Sequence, residues 1–247
     1  MNSFRLGLCS VTFRKKTAEE VVDLAKKAGV GYIDWGGDVH VNTLVDAKKV
    51  KELCDKADIK ISSYGSYINS AFYDKSKWLD TCKIAKEMGA ESIRIWLGKK
   101  NSQVTSEDDY RLILENTKKM CDIAAEYSLL VCPECHDNTF NNNTDAILRF
   151  IGDLQKENFR TYFQSRYFRM TYDLDRIDRT YPYIKDMHVS YRDLKREQLF
   201  RKKDKSYLDT LLKKFREKDF GGIVMVEFVI GASEKEFLKD IEKLKAY

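Results

Sequence analysis

Proline is nearly missing from this chain, with two in 247 residues, and no stretch rich in proline, glycine or serine divides it. Inter-domain linkers normally have such a composition, so one domain over 1–247 is expected. Long apolar runs are missing too, which excludes a membrane span. The N-terminal "MNSFRLGLCSVTF" enters a strand-like pattern within a few residues and leaves no room for a targeting segment, so a cytoplasmic location is expected. Charge of one sign is also lacking. The 44 Lys+Arg against 39 Asp+Glu give a net +5, a mixed surface with no basic footprint, and nucleic acid is not an expected partner.

Histidine is scarce, with three in the chain, and the six cysteines are scattered. Cys9, Cys54, Cys82, Cys121, Cys132 and Cys135 do not make a disulfide framework in a chain of this size. The Cys132-Pro133-Glu134-Cys135 segment fits C-x-x-C, but no second pair completes a zinc site. Core positions are expected for all six cysteines.

Hydrophobic residues, 43% of the chain, are enough for a sizeable core. Apolar or β-branched runs occur near 5–9, 30–35, 59–64, 92–97, 129–135, 160–164, 184–190 and 223–229, and helical patterns separate most of them. Thr17 with Glu20 reads as a capping box opening a helix that Gly29 stops, and Ser233 with Glu236 reads the same way for the last helix. Further helices are read at 43–57, 76–88, 107–127, 144–156, 173–182 and 205–218. Eight such units average about 31 residues, the size of a closed barrel of eight parallel strands ringed by helices. An open doubly wound sheet would carry a Gly-rich loop after its first strand, and "CSVTFRKKT" has none.

In such a barrel the strand ends that lead into helices face one cavity. Glu134 and Glu227 end the runs "LLVCPEC" and "GIVMVEF", and His188 lies near the end of "IKDMHVS". Buried acids and imidazoles at strand tips cost desolvation energy unless a ligand or metal compensates. The two-residue alternation of strands adds His136 beside Glu134, Gln164 on strand six, Arg94 and Trp96 on strand four, and Tyr64 on strand three. His40 follows strand two, so all three histidines are expected just beyond strands. Two carboxylates, an imidazole and an amide oxygen suit one divalent ion, Mn²⁺, Mg²⁺, Co²⁺ or Zn²⁺. Such an ion can take two adjacent oxygens of a hydroxy-ketone and stabilise the charge left when the neighbouring carbon loses its proton. One glutamate would remove that proton and the other return one, in an order set by the substrate face. The basic run at 191–205 could bring Arg192 to an anionic or polyhydroxyl substrate, and Gly231 with Ser233 could form a phosphate site or an ordinary cap.

The segments "GYIDWGGDVHV", "SYGSYIN", "IRIWLGKKNS" and "MVEFV", within a match running from "RLGLCSVTFRKKT" to "VMVEFV", resemble the xylose isomerase-like family of sugar phosphate isomerases and epimerases. The resemblance implies a single (β/α)8 TIM barrel with one metal held by Glu134, Gln164, His188 and Glu227. It implies that the two glutamates are the acid/base pair, working through a metal-stabilised cis-enediolate, and that a dimer or tetramer forms. Trp35, His40, Tyr64, Arg94, Trp96 and His136 would line the pocket for a small ketose or its phosphate. One departure matters. The epimerase pattern has Asp with His three residues later on strand six, where this chain has Gln164 and Tyr167. The amide removes one negative charge and should weaken metal binding.

Three other readings use the same residues. Dehydration of a keto-polyol would pass through the same enediolate. A non-catalytic carbohydrate-binding barrel would stack Trp35, Trp96 and Tyr64 on sugar faces, although core packing would equally account for each aromatic. An apurinic-site endonuclease shares the barrel but needs more histidines than this chain has.

Overall fold

Each expected strand is followed by a helix in the computed structural model, which describes residues 4–165, 169–190 and 205–247. In chain order the elements are β1 (Arg5–Cys9), α1 (Ala18–Ala28), β2 (Tyr32–Gly36), α2 (Leu44–Ala57), β3 (Lys60–Asn69), α3 (Lys75–Met88), β4 (Ser92–Trp96) and α4 (Glu107–Glu126). They continue with β5 (Leu130–Pro133), α5 (Thr144–Leu154), β6 (Thr161–Gln164), α6 (Met170–Thr180), β7 (Ile184–Ser190), α7 (Lys205–Glu217), β8 (Ile223–Glu227) and α8 (Glu234–Lys245).

The eight strands form one sheet in the order β5-β4-β3-β2-β1-β8-β7-β6, paired in parallel. Between β5 and β6 the ladder is replaced by a bridge from Val131 to Phe159, with the Arg160 amide donating to the Val131 carbonyl at 3.0 Å. Side chains complete that seam: Thr161 Oγ1 donates to the Pro133 carbonyl at 3.3 Å. The result is a nearly closed (β/α)8 TIM barrel.

The helices begin and end where local chemistry directs. Thr17 and Glu20 satisfy each other's backbone amides in a full capping box, and Gly29 ends α1 at φ 68°, a left-handed conformation that suits glycine. Ser233 caps α8 by accepting from the Glu236 amide. The Glu236 carboxylate pairs with Lys239 at 2.7 Å, so the expected reciprocal box there is half formed. The sixth helix starts at Met170 and ends at Thr180, earlier than the 173–182 expected. β3 runs on to Asn69, past the 59–64 run, because its pairing with β4 breaks register between Gly65 and Asn69.

Two apolar clusters hold the barrel. The larger lies between sheet and helices and includes Trp35, Trp78, Phe150 and Phe237, all fully buried. The smaller joins Cys9, Val11, Ile223 and Met225. Gly7 makes room for the last of these, since a Cβ there would stand 2.3 Å from the Met225 sulfur. Beside this cluster the sheet buries polar groups that satisfy one another. The Tyr162 hydroxyl donates to Ser63 Oγ at 2.8 Å, and Ser62 Oγ donates to Asp186 at 2.7 Å. All six cysteines are buried and free, as their scatter predicts.

Candidate active site at the strand ends

Alternation along each strand decides which side chains meet. On β7, His188 and Asp186 share a face, and on β4 so do Arg94 and Ser92. Glu134 follows β5 directly and stays tied to the sheet through its amide, which donates to the Ile95 carbonyl at 3.2 Å. Gln164 and Glu227 are the last residues of β6 and β8. These strand ends bring four of the expected residues together. Gln164 Nε2 donates to Glu227 Oε2 at 3.3 Å, and His188 Nδ1 is 4.0 Å from the same oxygen. Glu134, His188 and Glu227 each offer a ligand atom within 4.8 Å of the others, all of them buried. Gln164 Oε1 is buried without a hydrogen-bond partner.

Arg94 adjoins this group through Glu134. Its Nη1 donates to Glu134 Oε2 at 2.5 Å, and its Nε lies 3.5 Å from Asp34 Oδ2. Burial works against the guanidinium's charge, but Asp34, Glu134 and Glu227 outweigh it and hold the group firmly protonated. Asp34 on β2 was not among the expected residues, although two-residue alternation puts it on the opposite face from Trp35. Burial pushes its carboxyl up, and Arg94 followed by His188 brings it below the ordinary range. His188 has the reverse balance: burial lowers it, while Asp34, Glu227 and Glu134 raise it above the usual imidazole value. Cys9 Sγ approaches His188 Nε2 at 3.8 Å, and burial together with Asp34 and Glu227 keeps that thiol protonated. A second ligand-like group, Cys9, Asp34 and His188, therefore adjoins the first.

The remaining expected residues make contacts of their own. Trp35 is fully buried in the layer between sheet and helices, in a T-shaped contact with the His40 ring at 5.6 Å. His40 holds the β1–α1 connection through Ser10 Oγ at 3.0 Å and the Lys16 carbonyl at 3.1 Å, and burial lowers its basicity. The Tyr64 hydroxyl donates to the Val41 carbonyl at 3.1 Å, and burial pushes it up to about 12. Trp96 and His136 meet edge to face at 4.7 Å, and Tyr67 adds a third ring 6.3 Å from Trp96. Tyr67 is held at φ 57°, an unusual conformation for a bulky residue, and its ring lies 5.9 Å from the Arg94 guanidinium. Ser233 Oγ serves as a cap beside Gly231. Arg192 and Tyr167 lie outside the described residues.

The model of the xylose isomerase-like TIM barrel family matches residues 22–247. The chain belongs to that family. A 3-dehydroshikimate dehydratase from Bacillus anthracis is 22% identical over 170 residues, which are 63% of this chain and 60% of that protein's length. The crystal structure of the probable 3-DHS dehydratase of petrobactin synthesis from Bacillus anthracis superposes with a TM-score of 0.80 at 15% identity, covering 97% of this chain and 98% of the other. A 3-keto-D-glucoside 4-epimerase from E. coli superposes with a TM-score of 0.77 at 14% identity over 99% of both chains. At these identities the superpositions establish the fold. Among the described residues of this family member, no helix is long and apolar enough to cross a membrane.

Proposed function

We propose that the protein is a metal-dependent isomerase or epimerase of a small ketose or sugar phosphate, with Glu134 and Glu227 as the acid/base pair. The observation that carries this reading is the meeting of Glu134, His188 and Glu227 from three separate strand ends in one buried group. Two features fit a divalent ion there. Gln164 Oε1 is an orphaned buried acceptor, which ordinarily costs about 1–3 kcal/mol. Three carboxylates face one guanidinium, and a divalent cation would offset the excess of negative charge. Glu134, Gln164, His188 and Glu227 would hold the ion. When bound, it would supply Lewis-acid stabilisation of the negative charge that develops on two adjacent substrate oxygens.

The chain's own residues do the rest. Arg94 donates to Glu134 and so fixes the position of the carboxylate that would take a proton from a substrate carbon. Gln164 turns one amide hydrogen to Glu227 and so orients it. Trp96, His136 and Tyr67, the last with its ring 5.9 Å from the Arg94 guanidinium, offer ring surfaces on which a sugar face can stack. Epimerisation follows if the second glutamate returns a proton to the opposite face of the same carbon. Isomerisation follows if it protonates the adjacent one.

A dehydratase reading draws support from the relative that bears that activity in its name. The same proton abstraction then expels a neighbouring hydroxyl, which leaves as water with a proton from the second acid. Incubation of the metal-loaded protein with ketoses in deuterium oxide tests both readings. Solvent deuterium should enter the substrate carbon with wild type, and Glu134→Gln and Glu227→Gln should each stop it without loss of fold. Retained exchange in both variants defeats the assignment, and product identification separates epimer from dehydrated product.

A further inference from the structure

Five buried side chains form an unbroken series from one glutamate to the other: Glu134, Arg94, Asp34, His188, Glu227. The successive separations are 2.5, 3.5, 3.7 and 4.0 Å. Asp34 is the centre of that series. It comes from β2, separated from β7 in the sheet by β1 and β8, and is 1% exposed. Neither of its oxygens has a hydrogen-bond partner. A buried carboxylate in that condition needs a donor, and the nitrogen donors beside it are Arg94 Nε and His188 Nε2, with the Cys9 thiol also within 4.8 Å.

We propose that Asp34 is a positioning residue that fixes the His188 imidazole with its proton on Nε2, leaving Nδ1 bare toward Glu227, and at the same time anchors the arginine that holds Glu134. This rests on the functional reading above and extends it to a residue outside the four ligands. Glu227 already has a donor in Gln164, so it competes weakly for an imidazole proton. Asp34 is also the nearer carboxylate, at 3.7 Å against 4.0 Å. A carboxylate that takes the N–H of a metal-binding imidazole sets its tautomer and strengthens it as a ligand. The rival arrangement has the Cys9 thiol donating to Nε2, 3.8 Å away, with the proton on Nδ1. A thiol is a weak donor, and that arrangement would leave the Asp34 carboxylate without the imidazole.

Nitrogen-15 spectra of the His188 ring in metal-free full-length protein at alkaline pH decide the tautomer. Wild type should show the proton on Nε2. A ring protonated on Nδ1 overturns the proposal, whether or not any metal binds or any substrate turns over. Asp34→Ala should mix the tautomers and weaken Mn²⁺ binding about ten- to hundredfold, with the circular dichroism spectrum kept. Cys9→Ala should leave the tautomer unchanged. A folded Asp34→Ala protein with the wild-type ring spectrum and wild-type affinity also overturns the proposal. If Asp34→Ala fails to fold, Asp34→Asn keeps the volume and the wild-type spectrum still decides. Failure of wild type to bind Mn²⁺ at all would instead count against the functional reading, while the ring spectrum would go on testing Asp34.

Discussion

Gly65 lies directly against the Arg94 guanidinium, so that a Cβ on Gly65 would stand 2.5 Å from Nη2 and 3.2 Å from Cζ. The arginine cannot retreat without leaving Glu134 or Asp34. Gly65→Ala should therefore keep the barrel and lower activity by about tenfold or more, since misplacing one site group by an ångström is costly. Steady-state kinetics beside a melting curve checks this. Full activity with an unchanged melting temperature would mean that Arg94 can move freely.

Gln164→Asp should act oppositely in the presence and absence of metal. It replaces the amide that donates to Glu227 with a fourth carboxylate in a buried group. Like charges brought together there should lower the melting temperature of the metal-free protein. Added Mn²⁺ should raise it by more than in wild type, because a charged oxygen binds the ion more strongly than a neutral one. Calorimetry with and without Mn²⁺ measures both. Equal metal-induced shifts in the two proteins would place the ion elsewhere.

Asp240 on α8 ties stability to pH. Burial raises its carboxyl from 3.8 to about 6, with Lys243 partly opposing. The folded protein therefore keeps a proton that the unfolded chain has lost, and stability falls as pH rises from about 4 to about 6. Asp240→Asn should be neutral below that window and stabilising above it, by at most about 3 kcal/mol. Urea melts across this pH range would show the two curves diverging. Parallel curves would contradict the shift.

Arg176 reaches from α6 to the segment that follows β5. It is 1% exposed, and its Nη1 contacts Cys135 Sγ at 2.6 Å while Nη2 lies 3.4 Å from Asn141 Oδ1. Arg176→Met removes both contacts and strands their buried partners, with an expected cost of about 2–4 kcal/mol. Because Cys135 adjoins Glu134, metal affinity should fall as well. Denaturant unfolding and a Mn²⁺ titration test the two effects. A stability change without any affinity change would separate this arginine from the site.

Much of this was legible in the residues. Thr17, Glu20 and Gly29 bound α1 because a cap is satisfied within a few residues of chain, and the structure keeps all three in those roles. Ser233 with Glu236 shows where such reading stops: Lys239 competes for the same carboxylate, and sequence spacing does not rank the two. Glu134, Gln164, His188 and Glu227 stood out because polar groups at the ends of apolar runs are costly to bury. Asp34 lies inside the apolar run at 30–35, one residue before Trp35, where no local pattern marks it as a site residue. The alternation of β2 sends the tryptophan into the outer core and the acid toward Arg94 and His188.

The amino-acid order by itself determined the eight strand–helix units, the strand ends at which polar groups collect, and the family to which the chain belongs. These follow from local periodicity, from capping, and from the cost of placing charge beside apolar runs. Only the tertiary structure decided that Arg94 joins Glu134 to Asp34, that Gly65 leaves space for it, and that Tyr67 stands near its guanidinium. Those relations depend on register between strands and on the closing of the sheet into a barrel. Each brings together residues 27 or more positions apart, and no local rule specifies which of them will touch.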